Sequence, residues 1–183
     1  MNWPTSGSIE ALGSAAVDRP AIDFASGFNG AAKGARLGPK FDAFENEMSF
    51  LLGGMLFEDV GVTAYAGAAT VLKQKEHLDA AARILAVEAY HMGMARSQLY
   101  EMGEEAWKLA NAISDARNKL DGPGKDQGIR VNGKANFVPS NSDGMAFTRT
   151  PQEVLHIVYL TPQSGASSGG FYPNGMNGTL KTT

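Results

Sequence analysis

The stretches FEDVGVTAY, residues 57–65, and EAYHMGM, residues 88–94, decide the fold of this chain. In and around the first stretch, steps of three and four residues join Leu51, Met55, Glu58, Val62, Tyr65, Ala69 and Leu72. Around the second stretch, the same spacing joins Ala81, Ile84, Glu88, His91 and Ala95. Side chains spaced in this way lie on one face of an α-helix. Each stretch is therefore predicted to belong to a helix whose apolar face carries acidic or imidazole groups.

The predicted fold is all-α, with three long helices at its centre. The first is expected from Asp42 or Glu45 to Lys73, the second from Glu76 to Met102, and the third from Glu104 to Leu120. Acidic residues fill the first turns of the first helix, where they suit the positive end of the helix dipole. The third helix should end at residues 121–124, Asp-Gly-Pro-Gly, because glycine just past a helix and a nearby proline are common stop signals.

The regions on either side of these helices are predicted to be mostly irregular. Ser8 to Ala16 is compatible with a short helix, and Pro20 to Pro39 is predicted to be a loop with a few apolar anchors. A short helix is expected from Thr150 to Leu160, with Thr150 and Glu153 forming a capping box around Pro151. The predicted organisation is an N-terminal segment and loop at residues 1–40, a helical core at 41–120, and a Gly- and Asn-rich extension packed on the bundle at 121–183.

The first two long helices should form an antiparallel hairpin, because a short connection forces neighbouring helices to reverse direction. Glu58 lies about 16 residues before the turn near residue 74, and Glu88 and His91 lie about 14 and 16 residues after it. At about 1.5 Å per residue, all three lie about 20–25 Å from the turn. We therefore expect the three side chains to face each other inside the hairpin.

Buried carboxylates need a charged partner, because an isolated charge is strongly disfavoured in an apolar interior. One interpretation is a metal site with Glu58, Glu88 and His91 as ligands, since Glu-x-x-His pairs hold metals in helical bundles. Oxygen and imidazole ligands favour a divalent metal such as iron or manganese over copper(I). Tyr65 lies on the same stripe and could hydrogen-bond the site. The alternative is that Glu58 is paired with Arg83 or Arg96, without a metal.

The composition excludes several classes of function. The net charge of −3 and the isoelectric point of about 5.6 give no basic footprint for nucleic acid. There is no cysteine, so disulfides and thiolate metal sites are excluded. No apolar run reaches the roughly 18–20 residues needed to span a membrane. The N-terminus does not have the pattern of a signal peptide. The composition does not determine the cellular compartment.

Five motifs resemble the ferritin-like proteins of the desiccation-related family. They are FEDVGVTAYAGAA, ARILAVEAYHMGMARSQLYE, ANAISDARNKLDG, FTRTPQEVLHIVYL and GGFYPNGMNG, and the resemblance covers about residues 9–180. It implies a ferritin-like bundle with a C-terminal extension of little regular structure. It also implies that Glu58, Glu88 and His91 match the second-half metal ligands of a ferritin-like site. Proteins of this family are generally exported.

The chain departs from the family pattern at its N-terminal end. In the family, a helix with one Glu and a second helix with another Glu-x-x-His precede the segment that resembles VDRPAIDF, residues 17–24. Ser8 to Ala16 resembles only the last turns of that second helix. We therefore expect the bundle to be partial, consisting of the helical hairpin and the third helix. A truncated gene model, an alternative start and a genuine half-protein would each give this pattern.

Two long helices cannot cover their own apolar faces. The third helix and the extension could cover part of them. A homodimer is another solution, in which two hairpins complete one four-helix bundle and bring two copies of Glu58, Glu88 and His91 together. The functional hypothesis is a metal-binding, desiccation-related protein. The alternatives are a stress-protection or cell-surface interaction protein without metal, and a truncated fragment.

Overall fold

A computed structural model describes residues 17–183 of the chain. The described part is mostly helical: α1 is Phe24–Gly34, α2 is Glu47–Ala68, α3 is Lys75–Glu101, α4 is Glu104–Asp121, and α5 is Pro151–Val158. One small antiparallel hairpin, formed by β1 (Arg130–Val131) and β2 (Lys134–Ala135), lies between α4 and α5. The all-α prediction is confirmed. The short helix expected at Ser8 to Ala16 lies outside the described residues.

Helices α2 and α3 are antiparallel, as the short connection predicts. Two contacts run in opposite directions along the two helices: Gly61 lies against Glu88, and Glu58, three positions earlier, contacts His91, three positions later. The first helix is shorter than expected at both ends. Asn46 caps α2 by accepting a hydrogen bond from the Ser49 backbone N–H, and the helix ends at Ala68 rather than at Lys73. Helices α3 and α4 match their predicted bounds to within one residue.

The prediction of a loop from Pro20 to Pro39 is wrong, because this segment contains α1. Asp23 begins the helix by accepting a hydrogen bond from the Ser26 backbone N–H. Several glycines in the segment have low helix propensity, which favoured the loop interpretation. Burial outweighs that propensity here: Phe28 packs into the core and is 6% exposed.

The C-terminal extension is irregular but closely packed on the helices. Thr150 and Glu153 form the expected capping box of α5, with Pro151 at the first helical position. The β1–β2 hairpin turns at Asn132-Gly133, where both residues have positive φ (51° and 77°). Asn-Gly is the preferred sequence for this tight turn. The core lies between the four helices α1 to α4 and the extension, and it includes Leu52, Met55, Leu56, Leu99, Ile113, Ile129 and Phe171.

No helix in residues 17–183 is both long enough and apolar enough to cross a membrane.

Candidate functional site

Glu58, Glu88 and His91 meet in the middle of the α2–α3 hairpin, as the spacing predicts. Glu58 is 5% exposed, and its Oε2 lies 3.2 Å from His91 Nδ1. At this distance a protonated Nδ1 donates a hydrogen bond to the carboxylate. The His91 side chain is 43% exposed, so the site is buried on the Glu58 side and open on the His91 side.

Glu88 lies beside Glu58, and its environment disfavours the ionised form. Burial raises the pKa of Glu88 to about 7, and the hydrogen bond and negative charge of Glu58 raise it in the same direction, while His91 opposes the shift. Two carboxylates at one place repel each other unless a proton or a cation lies between them. Near neutral pH, Glu88 therefore holds a proton part of the time.

A glycine on α2 makes room for the Glu88 carboxylate. A Cβ atom at Gly61 would lie 2.5 Å from Glu88 Oε2, well inside van der Waals contact. Tyr65 lies one helical turn further along α2 and is half-buried. Burial and the negative charge of Glu88 raise the pKa of Tyr65, so its hydroxyl group keeps its proton.

Neither Arg83 nor Arg96 forms an ion pair with Glu58. Arg83 pairs on the surface with Asp79, and Arg96 pairs with Asp59. Among residues 17–183, the ion-pair partner of Glu58 is His91. The interpretation in which Arg83 or Arg96 neutralises Glu58 is therefore wrong.

The three side chains do not form a ready-made metal centre. Within residues 17–183 no group of three or more His, Asp or Glu side chains is arranged to hold a metal ion. The Nδ1 atom of His91 and the Oε2 atom of Glu58 face each other. By donor chemistry, two carboxylates and one imidazole suit iron, manganese or zinc. The residue types fit such a metal, and binding would require these side chains to turn toward a common point.

A buried ionic network next to the site was missed by the sequence reasoning. Three arginines and three aspartates alternate in it, each nearly inaccessible to solvent: Arg96, Arg117, Arg149, Asp59, Asp121 and Asp126. The charges balance. Burial acts to raise the pKa of Asp59, but the positive charges of Arg117 and Arg96 outweigh it and lower the pKa.

A signal for part of this network was present in the sequence. Arg117 follows Ala110, Ile113 and Ser114 at helical spacing, which places it on the buried face of α4. A buried arginine requires an acidic partner. One of its two acidic partners, Asp126, lies in the region after α4, where periodicity gives no information about position.

The chain belongs to the ferritin-like domain family, whose family model matches residues 6–101. Among curated proteins, it is 33% identical over 165 residues to the desiccation-related protein PCC13-62 of Craterostigma plantagineum. That match covers 81% of this chain and 52% of the relative. It is also 30% identical over 167 residues to the ferritin-like catalase Nec2 of Nesocodon mauritianus, covering 82% of this chain and 53% of the relative.

These matches identify a desiccation-related ferritin-like protein, as the sequence motifs indicate. The chain spans about half the length of these two relatives. No solved structure matches the chain significantly.

Proposed function

We propose that this protein binds a divalent metal, iron or manganese, through Glu58, Glu88 and His91. The observation that carries the proposal is the convergence of two carboxylates and an imidazole inside an apolar helical hairpin. No lysine or arginine within residues 17–183 forms an ion pair with Glu58. A divalent cation between the carboxylates would replace their repulsion by attraction.

The position of each side chain suggests its role. Glu58 contacts both other groups and lies deepest, so it is placed to bridge between metal ions. Glu88 and His91 lie three positions apart on α3 and would act as terminal or bridging ligands. A redox-active metal held there would supply electron exchange with dioxygen or peroxide.

Metal analysis of the purified protein tests the proposal. The parent chain and a Glu88→Ala/His91→Ala variant would be loaded with Mn²⁺ or, without oxygen, with Fe²⁺, then desalted and analysed by mass spectrometry. We expect near-stoichiometric metal in the parent and loss of metal in the variant. Equal metal content in the two proteins would contradict the proposal and would favour a stress-protection or interaction function without metal.

Two glycines on α2 provide a matched pair of variants that leave the ligands unchanged. In Gly61→Ala the new methyl group would displace the Glu88 carboxylate, whereas Gly54 has no atom within 4 Å of its Cβ position. We expect Gly61→Ala to weaken metal binding by about tenfold or more, as changes around metal ligands often do. Gly54→Ala should bind metal like the parent. Identical affinities in the two variants would argue against Glu88 as a ligand.

Hydrogen peroxide is a candidate substrate, because one relative of the chain is named a ferritin-like catalase. We propose that the metal-loaded protein decomposes peroxide to dioxygen and water. The test is dioxygen release from peroxide, measured with an oxygen electrode on parent and Glu88→Ala/His91→Ala proteins. A parent protein that binds metal but releases no more dioxygen than the variant would limit the function to metal binding.

A second copy of the chain is the proposed partner at the open side of the site. His91 is half-exposed there, and three large side chains next to it on α3 are exposed: Val87 (47%), Tyr90 (73%) and Met94 (61%). Complete two-metal sites in helical bundles use two such ligand sets from four helices. A symmetric dimer would supply the second set and cover the exposed face.

The oligomeric state tests this partner. Light scattering at micromolar concentration should give the mass of a dimer for the parent chain. Met94→Glu should produce a monomer, whereas Val138→Glu, at a 73% exposed position in the extension, should leave the dimer intact. A parent chain that is monomeric throughout would contradict the dimer while leaving the metal proposal open to its own test.

A further inference from the structure

A cavity of about 130 Å³ lies between α1, α2, α4 and α5. Its walls are aliphatic and aromatic, and they include Phe28, Leu52, Leu56, Ile113, Leu120 and Ile157. Glu58 follows Leu56 by two positions, which turns it about 200° away around the helix. The cavity and the candidate metal site therefore lie on different sides of α2.

Two glycines beside the cavity are in close contact with neighbouring residues. A Cβ atom at Gly53 of α2 would lie 2.9 Å from the Ala43 Cβ and 3.1 Å from the Phe28 ring. A Cβ atom at Gly30 of α1 would lie 2.7 Å from a methyl group of Leu160. A side chain at either glycine would therefore not fit without displacing these neighbours.

Among residues 17–183, the cavity wall has no free polar side chain for a ligand. Arg117 is the charged residue in its wall, and its guanidinium group donates to Asp126, Asp59, Ser114 and the backbone carbonyls of Met55 and Leu56. These five acceptors match the five N–H donors of arginine. In the described part of the chain, the buried side-chain polar atom without a partner is Asp121 Oδ1, and Asp121 does not line the cavity.

We propose that this cavity binds a small uncharged hydrocarbon, about the size of one aromatic ring. Apolar cavities of about 150 Å³ lined by Leu, Ile and Phe stay dry and take up benzene or xenon. The cavity here is similar in volume and in lining, and it is open to solvent on one side, which gives a ligand a path into it. A polar ligand would lose hydrogen bonds to water that no group in the cavity replaces.

Titration of the full chain with benzene, followed by NMR, tests the proposal. We expect saturable chemical-shift changes at Ile113, Leu120 and Ile157. Phenol should bind about tenfold more weakly, because its hydroxyl group would be buried without a partner. Shift changes confined to exposed side chains, or no saturable change at all, would overturn the proposal.

Variants that fill the cavity provide the second part of the test. Ala116 of α4 and Ala31 of α1 both line it, so Ala116→Leu and Ala31→Leu fill it from opposite sides. Ala82→Leu, at an exposed position of α3, is the matched control. Either folded filled variant should lose benzene binding while the control keeps it. Binding equal to that of the parent in a folded filled variant would refute the assignment.

Discussion

Glu58 and Asp59 are adjacent in the sequence and lie in different electrostatic surroundings. The Glu58 carboxylate faces Glu88 and His91, whereas the Asp59 carboxylate accepts hydrogen bonds from two buried arginines, Arg96 and Arg117. Neighbouring residues on a helix point about 100° apart, so one turn of α2 contacts both environments. Glu58 has no arginine or lysine partner in residues 17–183, whereas both oxygens of Asp59 accept hydrogen bonds from arginine.

Removing the Asp59 carboxylate should strongly destabilise the fold. The Asp59→Ala variant leaves two buried guanidinium groups without their shared partner, and breaking such a pair lowers the free energy of unfolding by about 3–5 kcal/mol. The measurement is urea unfolding followed by circular dichroism. Asp79→Ala is the control, because the Asp79–Arg83 pair is exposed and contributes at most about 1 kcal/mol. Similar losses in both variants would contradict the network's role.

Glu88 should make the stability of the metal-free protein fall as pH rises. Its pKa is about 7 in the folded protein against an ordinary value of 4.5. Between these values the folded state binds more protons than the unfolded state, so the free energy of unfolding decreases with increasing pH. Urea unfolding in the presence of a chelator at pH 5 and pH 8 measures this slope.

The Glu88→Gln variant should lose this part of the pH dependence, since its amide does not titrate. Glu76→Gln, at an exposed position in the first turn of α3, should keep the slope of the parent. An unchanged slope in Glu88→Gln would show that another group causes the dependence.

At the scale of elements, α2 shows that its glycines have different structural roles. Gly67 contacts the backbone of Arg149, and a Cβ atom there would lie 2.9 Å from the Arg149 carbonyl carbon. Arg149 is held in place because its backbone N–H donates to the Thr63 carbonyl and its side chain pairs with Asp121 and Asp126. Gly54, in contrast, faces open space. Close packing therefore explains Gly67 and does not explain Gly54.

Alanine substitutions at these two glycines should change the free energy of unfolding in opposite directions. Gly67→Ala should lower the free energy of unfolding by about 1–3 kcal/mol, because the Arg149 backbone cannot move aside. Gly54→Ala should raise it by about 0.5–1 kcal/mol, since alanine is the better helix former. Thermal and urea unfolding of both variants measure the difference. Stabilisation by Gly67→Ala would mean that the extension does not contact α2 there.

At the scale of the whole molecule, the C-terminal extension completes the core. Phe171 is fully buried, and its ring packs edge-on against Phe28 of α1 and Phe57 of α2, with centroid distances of 5.2 and 4.9 Å. The ionic network adds a second connection, through Asp126 and Arg149. The helices and the extension therefore share one core, and we expect them to unfold together.

Replacing Phe171 by alanine tests whether the helices and the extension unfold together. Phe171→Ala should lower the free energy of unfolding by about 3–5 kcal/mol, the range observed for buried Phe-to-Ala changes. Phe44→Ala removes a ring that is 70% exposed and should have little effect. Helix content by circular dichroism and tryptophan fluorescence should change in one transition. A small loss in Phe171→Ala, or separate transitions, would indicate that the extension folds independently.

The sequence by itself determined the three long helices and the level at which the site residues meet. The three- and four-residue spacing around Glu58, Glu88 and His91 placed these side chains on facing helix stripes, and a short turn brought them to one level. Both are local properties of the chain: helix periodicity fixes direction, and the rise per residue fixes distance. For the same reason the capping box at Thr150 was recognisable before the fold was known.

Only the tertiary structure decided where the charges and the extension lie. Helix α1 forms despite its glycines because Phe28 is buried. Arg96 forms its ion pair with Asp59 rather than with Glu58. Asp126 and Phe171 come from segments without periodicity, so no local pattern fixes their positions. Their contacts join residues far apart in the sequence, and such contacts depend on how the whole chain packs rather than on the conformation of any one segment.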